Sequence, residues 1–449
     1  MNSVLYGYSV SGATWMYLSA LLIVGVYFRF NRLWSRRNLD LLLLLALQPG
    51  LLLIREPAAR VAGYTVLLCT SVLILVRVLL DPFAKWRPRF EQNMNSAGML
   101  WLSCCALLFL GTRAIVDQIP SGTEETVARA DQLLTLRATD PIAASPAEMN
   151  AEVGPAPSLV AAPVTLMFEQ FAAPTLAIIA HLAVAAGLLY IGRRVFDDAG
   201  SGVAMVALYL LLPCTAYRVG EVNHVLPAAF LLWAVALWKR PTASGSLVAM
   251  ACGTLVFPVF LVPLWVSFYG RRGWKPFTIG FVATAVVLFG SFALISRDWQ
   301  QFVEQTTGVM QHYRTVLEAP VREATSEVAA DLTSPEATEF WQASSYWEPY
   351  RLPVVAIFAV LLVVMTAWPR PKTLELLLAQ QTAAILAVQF WLPDHAGTYV
   401  LWYLPLLIAL MFRLRLSESY AGEDSEQLAS RRNRTPAKSP SVPATAKLL

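Results

Sequence analysis

One apolar run, Leu247–Tyr269, constrains how the rest of this chain can be threaded. It is long enough to cross a bilayer, which takes roughly 20 apolar residues in a helix. Lys239 and Arg240 precede it, and Arg271, Arg272 and Lys275 follow it. Basic loops stay on the cytoplasmic side of a membrane. A single crossing cannot leave both ends on one side. Pro258 and Pro263 interrupt the run, so it reads as a Pro-broken hairpin that dips into the bilayer and returns.

The other apolar runs predict an all-α polytopic membrane protein. They are Ala13–Phe28, Leu39–Ile54, Val61–Leu80, Ala97–Val116, Pro163–Ile191, Val203–Tyr217, Val225–Trp238, Pro276–Ile295, Leu352–Trp368, Leu374–Trp391 and Thr398–Phe412. That makes about eleven full spans besides the hairpin. Composition agrees, because only 14% of the 449 residues are charged, against about a quarter in a soluble domain. Met1–Trp15 holds no charged side chain, and no small-residue cleavage site follows the first run. The first run therefore reads as a retained helix rather than a signal peptide.

Charge orients the spans. Arg29, Arg32, Arg36 and Arg37 follow the first, so the N-terminus starts outside. Lys85, Arg87 and Arg89 follow the third span, Arg193 and Arg194 the fifth, Lys239 and Arg240 the seventh. Arg55 and Arg60, in a short outer loop, are the exception. With the hairpin returning to the cytoplasm, Arg271, Arg370, Lys372, Arg413, Arg415 and the basic tail fall on the cytoplasmic side too.

Two long loops then lie outside, 117–162 and 297–351. The first sets seven carboxylates, among them Asp117, Glu124, Glu125 and Asp131, against Arg129 and Arg137. The second has nine carboxylates and no lysine before Arg351. Their helical stretches, Glu124–Leu136 and Trp299–Val316, are expected on the membrane surface or capping a cavity. The expected organisation is N-terminal membrane helices over 1–96, a membrane core with its outer loops over 97–414, and a disordered basic cytoplasmic tail over 415–449. Polar, Ser- and Pro-containing composition supports the last.

Several chemistries are excluded. Cys69, Cys104, Cys105, Cys214 and Cys252 all lie in apolar runs, which argues against a disulfide framework or a Cys-ligated metal. His181, His224, His312 and His395 are scattered. There is no phosphate-binding P-loop and no G-x-G-x-x-G. No metal site or cofactor is expected. The net charge of +4 comes from short clusters between apolar runs, so nucleic acid is not expected as a partner.

Three stretches carry a resemblance. Pro213–Arg240, "PCTAYRVGEVNHVLPAAFLLWAVALWKR", pairs a proline and a G-[QE] turn with an Asn, a long apolar helix and a basic end. Gly253–Phe281 is a Pro-broken helix pair with a basic R-G-W exit. "WLPDHAGTYVLWYLPLLIAL" is a late outer turn with His and Tyr before the last span. Together they resemble the GT-C superfamily of polyprenyl-phosphate-sugar-dependent glycosyltransferases, and within it the family 87 mannosyltransferase-like group. The likeness is loose over 97–412 and good over 213–281. Members often carry a lysine or similar polar residue just before the proline of the broken helix. Val256 and Phe257 stand there in this chain.

The resemblance implies sugar transfer, mannose included, from a polyprenyl-phosphate donor to a glycan or lipid acceptor, with inversion, on the outer face of the plasma (inner) membrane. A lipid-linked donor suits an outward-facing site, because nucleotide sugars are cytoplasmic. The resemblance also makes Asp117, directly after the fourth span, the expected base for the acceptor hydroxyl. Glu124, Glu125 and Asp131 are its alternates. Arg113 lies four positions earlier, on the same helix face. Arg218, Glu221, Asn223 and His224 form a polar cluster at an outer turn, and an arginine fork suits phosphate. His312 and Arg314 in the second loop, and Asp394, His395 and Tyr399 at the last outer turn, complete the candidate substrate contacts. Two other readings stand beside this one: a catalytically silent member of the fold that binds lipid or serves as a structural partner, and a transporter. No internal repeat or midplane charge cluster favours the transporter. Arg77, inside the third span, reads as snorkelling toward the cytoplasmic edge.

Overall fold

The computed structural model describes residues 11–54, 56–83, 90, 92–135, 154–255, 257–295, 299, 348–370, 372–392 and 397–413. Among these, every regular element is helical. The helices are α1 (Gly12–Tyr27), α2 (Arg36–Ile54), α3 (Arg60–Leu80), α4 (Ser96–Val116), α5 (Ser121–Thr135), α6 (Ala156–Phe168), α7 (Ala172–Tyr190), α8 (Ala199–Leu211) and α9 (Pro213–Tyr217). They continue as α10 (Val222–Ala236), α11 (Pro241–Cys252), α12 (Val262–Ile295), α13 (Glu348–Ala367), α14 (Leu374–Val388) and α15 (Tyr399–Phe412). Side-chain caps mark several starts. Ser11, Asn95, Asp198 and Thr373 each accept an orphan backbone N–H of the first turn.

Five stretches are long and apolar enough to cross a bilayer: Arg36–Ile54, Arg60–Phe83, Ser96–Val116, Ala156–Val195 and Gly273–Ser291. Shorter apolar helices accompany them. Helices apolar all round belong in the interior, and α10, α14 and α15 are buried along nearly their whole length. By contrast α1, α4 and α12 expose Leu21, Trp101, Leu108, Ile279 and Val286. The run expected as one span over Pro163–Ile191 is bent. At Glu169, with φ +41°, the chain turns sharply between α6 and α7.

The basic-flanked run folds back on itself. Helix α11 and the second half of α12 run side by side in the same direction. A methyl on Gly280 would meet the Thr242 carbonyl at 2.1 Å, one on Gly245 the Phe277 carbonyl at 2.1 Å, and one on Gly253 Leu288 at 2.5 Å. Two parallel helices require a return segment between them, and Phe257–Tyr269 supplies it. Its end comes back to the level of the chain just before α11, where the Tyr269 hydroxyl donates to the Trp238 carbonyl at 2.8 Å. Gly270, at φ +58°, makes the sharp turn into the rest of α12, a conformation that costs glycine little.

Helices α2 and α3 are tied to the last two by ions. Arg77 forks onto Asp40 at 2.8 and 2.9 Å and reaches Asp81 at 2.6 Å. Arg413 bonds the other oxygen of Asp81 and lies 2.9 Å from Glu375. The guanidinium of Arg77 is therefore paired within the bundle, and the snorkelling reading is replaced by this network. Gly397, just before α15, also presses on α2 and α3. Gly397, at φ +82°, has no room for a methyl beside Leu51.

Candidate active site

Helix α4 ends at Asp117, whose backbone N–H donates to the Arg113 carbonyl at 2.9 Å. Arg113, one turn back, donates twice to Asp117 Oδ2, from Nε at 2.8 Å and Nη2 at 2.6 Å. The same-face relation expected from the spacing is thus an ion pair. Both bonds fall on Oδ2, and Oδ1 has no protein donor among the described residues.

From Asp117 the chain docks on the turn between α9 and α10. Thr123 Oγ1 donates to the Gly220 carbonyl at 2.7 Å. Asn223 Nδ2 donates to the Gly122 carbonyl at 2.8 Å, and its Oδ1 accepts from Thr126 at 2.9 Å. The approach needs a glycine at 220, since a methyl there would lie 2.8 Å from Pro120 Cδ. In the same turn Arg218 Nη1 meets Glu221 Oε1 at 3.2 Å. Tyr217 Oη donates to the Gly12 carbonyl at 2.5 Å, bringing the start of α1 to the site.

These contacts enclose a cavity of about 400 Å³. Arg113, Asp117, Arg218 and Glu221 line it, and Ala114, Ala173, Pro174 and Ala177 form a wall of small side chains. Two arginines and two carboxylates in one recess can hold a phosphate, sugar hydroxyls and a proton acceptor together. All four side chains are partly accessible, Asp117 the most at 38%.

The other candidates lie elsewhere. Asn223 is buried and its amide is used by α5. His224 accepts from Trp402 Nε1 at 3.0 Å and stacks on that indole. Tyr399 packs edge-on against the same ring. Phe257 lies flat on the Trp402 indole, with centroids 4.0 Å apart and planes 10° apart. The position where the resemblance leads one to expect a polar residue is here part of a buried aromatic stack. Glu124 and Asp131 are exposed, and Glu125 pairs with Arg129; none of the three lines the cavity. His312, Arg314, Asp394, His395 and Val256 lie outside the described residues, as does nearly all of the 297–351 loop.

One contributor had no motif to mark it. His181, buried in α7, contacts the Val219 carbonyl through Nε2 at 3.2 Å and the Tyr209 hydroxyl through Nδ1 at 2.8 Å. A carbonyl only accepts, so Nε2 carries the proton and Nδ1 accepts from tyrosine. The pair fixes the backbone between Arg218 and Gly220. A polar residue inside an otherwise apolar run was the only signal for it.

The profile of "Glycosyltransferase family 87" matches residues 154–393, more than half of the chain. The chain belongs to this family. No curated protein and no solved structure matches it. The matched segment contains the Arg218–Glu221 turn, the fold-back of α11 and α12, and His181. Arg113, Asp117 and α5 precede it, so half of the cavity is built by sequence upstream of the match. A family 87 glycosyltransferase acts on a sugar donor and an acceptor.

Proposed function

We propose that this family 87 protein transfers a sugar, mannose in the first instance, from a polyprenyl-phosphate carrier to a hydroxyl of a glycan or lipid acceptor. The observation that carries the reading is the shared cavity: Asp117–Arg113 and Arg218–Glu221 line one recess of about 400 Å³. Asp117 Oδ1 takes the acceptor proton as the hydroxyl oxygen bonds to the anomeric carbon. Arg113 holds the carboxylate by its other oxygen. The bond from the anomeric carbon to the phosphate oxygen breaks with inversion, and its electron pair leaves on the lipid phosphate. Arg218 receives that phosphate, for which its planar fork is suited, and Glu221 keeps the fork oriented. No metal or cofactor enters the scheme.

The topology that goes with this reading has about eleven spans. The N-terminus and both acidic loops lie outside, and the C-terminus lies in the cytoplasm of a cell bounded by this plasma (inner) membrane. The fold-back supports it, because it returns Arg271 to the level of Trp238 and Lys239. Residues 97–414 form the catalytic core and residues 1–96 are added to it. His312, Arg314 and His395 remain candidate contacts from the outer loops, whereas Tyr399 is taken up by the Trp402 stack.

The test is Asp117→Asn in membranes supplied with polyprenyl-phosphate-[¹⁴C]mannose. Transfer is expected to fall about 10²- to 10⁴-fold with unchanged amounts of inserted protein. Transfer at the wild-type rate would remove Asp117 as the base. A second reading, a catalytically silent member that binds lipid, is favoured by Phe257, which fills the broken-helix position with a buried ring. Lipid retention without transfer by the wild-type protein would establish it.

A further inference from the structure

The loop joining α1 and α2 has a heavily hydrogen-bonded backbone and an outward face of apolar and basic side chains. Asn38 is fully buried. Its Oδ1 accepts from the Arg29 N–H at 2.8 Å. Its Nδ2 lies within 3.1 Å of the carbonyls of Arg29, Arg32 and Leu33. Asn93 braces the same loop from the far side, with Nδ2 donating to the Gly25 carbonyl at 3.1 Å and the Phe28 carbonyl at 2.9 Å. Buried Arg37 adds a bond from Nε to the Tyr27 carbonyl at 2.7 Å.

What this scaffold presents is unusual for a connection. Phe30 is 63% exposed, Leu33 61% and Trp34 fully exposed. Arg29, Arg32 and Arg36 stand exposed between and beside them. No carboxylate occurs before Asp40. The apolar surface continues onto the helices on both sides, through Leu18, Leu21 and Leu22 of α1 and Leu39 and Leu42 of α2. That continuity places the loop at the rim of the lipid-facing surface. Indole and phenyl rings settle at headgroup depth, and arginines beside them attract anionic headgroups.

We infer that the Phe28–Trp34 loop is a binding site for anionic phospholipid headgroups, with Phe30, Leu33 and Trp34 seated among the lipids and Arg29 and Arg32 on the phosphates. The side chain of Arg29 also reaches Asn31 Oδ1 at 3.0 Å, which holds its fork outside the loop. The inference stands on this loop alone and does not depend on the transfer reaction.

The experiment uses the full-length protein in neutral detergent, titrated separately with phosphatidylglycerol and phosphatidylcholine, with bound lipids counted by native mass spectrometry. The wild type is expected to prefer phosphatidylglycerol. Arg29→Gln with Arg32→Gln is expected to weaken that preference by on the order of five-fold for each arginine. Arg29→Lys with Arg32→Lys is expected to keep it, which separates loss of charge from damage to the loop. Trp34→Ala is expected to lower retention of both lipids. Equal phosphatidylglycerol retention by the wild type and the glutamine variant overturns the proposal. Displacement of phosphatidylglycerol by equimolar inorganic phosphate overturns it as well, since the site would then be one for free anions.

Discussion

Gly220 sits where two segments of the cavity wall touch, with no space for a methyl beside the Pro120 ring. Gly220→Ala is expected to push Pro120 and Asp117 out of register with Arg218. Small displacements of reacting groups cost up to about 10²-fold in rate, so transfer should fall by that order while thermal unfolding changes little. Arg113→Gln leaves Asp117 unheld, and a fall in kcat larger than any change in KM is the expected signature. A pH effect belongs to Lys372, in the connection between α13 and α14. Burial, with Arg370 beside it, lowers its ammonium from the usual 10.5 to about 8. Between those values the unfolded chain holds a proton that the folded protein lacks, so this residue makes stability rise with pH through that window. Lys372→Met should remove that part of the rise in thermal melts taken from pH 7.5 to 10.5. At this scale the sequence was informative where groups are near neighbours. The Arg113–Asp117 pair follows from a four-residue spacing. The docking of Thr123 on Gly220 spans 97 positions, and no local pattern announces it.

Among the elements, the fold-back of α11 and α12 depends on bare backbone contact. Gly245 and Gly280 each face a carbonyl of the other helix at a distance no Cβ tolerates. Backbone cannot yield as a side-chain tip does. Gly245→Val and Gly280→Val are therefore expected to cost at least the 1–3 kcal/mol typical of overpacking, read as a lowered unfolding temperature in detergent. Charge patterning indicated the hairpin, because five basic residues flank an uncharged run that Pro258 and Pro263 interrupt. Its dimensions were not legible. The ascending arm begins at Pro241, before the apolar run, since the small residues that admit close packing are not themselves strongly apolar. The bend between α6 and α7 was likewise hidden within a continuous apolar stretch. Hydropathy reports the environment of a helix and not its direction.

For the molecule as a whole, buried ions bind α2 and α3 to α14 and the end of α15. Arg413 is 1% exposed and bridges Asp81 and Glu375. Removing one partner of a buried pair strands the other charge and costs about 3–5 kcal/mol. Arg413→Met is expected to lower stability by that order in thermal melts, and Arg413→Met with Glu375→Gln by less than the sum of the two single changes. Purely additive effects would mean that the two residues do not interact.

By itself the sequence determined that this is an all-helical membrane protein, that Leu247–Tyr269 turns back, and that the chain resembles family 87. Those properties follow from apolar content, proline placement and charge asymmetry, which act locally or between a segment and its solvent. Only the tertiary structure decided which polar groups share a cavity. It joined Asp117 to Arg218, gave His224 and Tyr399 to an aromatic stack, and turned Arg77 from a snorkelling side chain into the centre of an ion network. The physical reason is that a polar group in an apolar surrounding takes whichever partner the packing of helices delivers, and that partner comes from any distance along the chain.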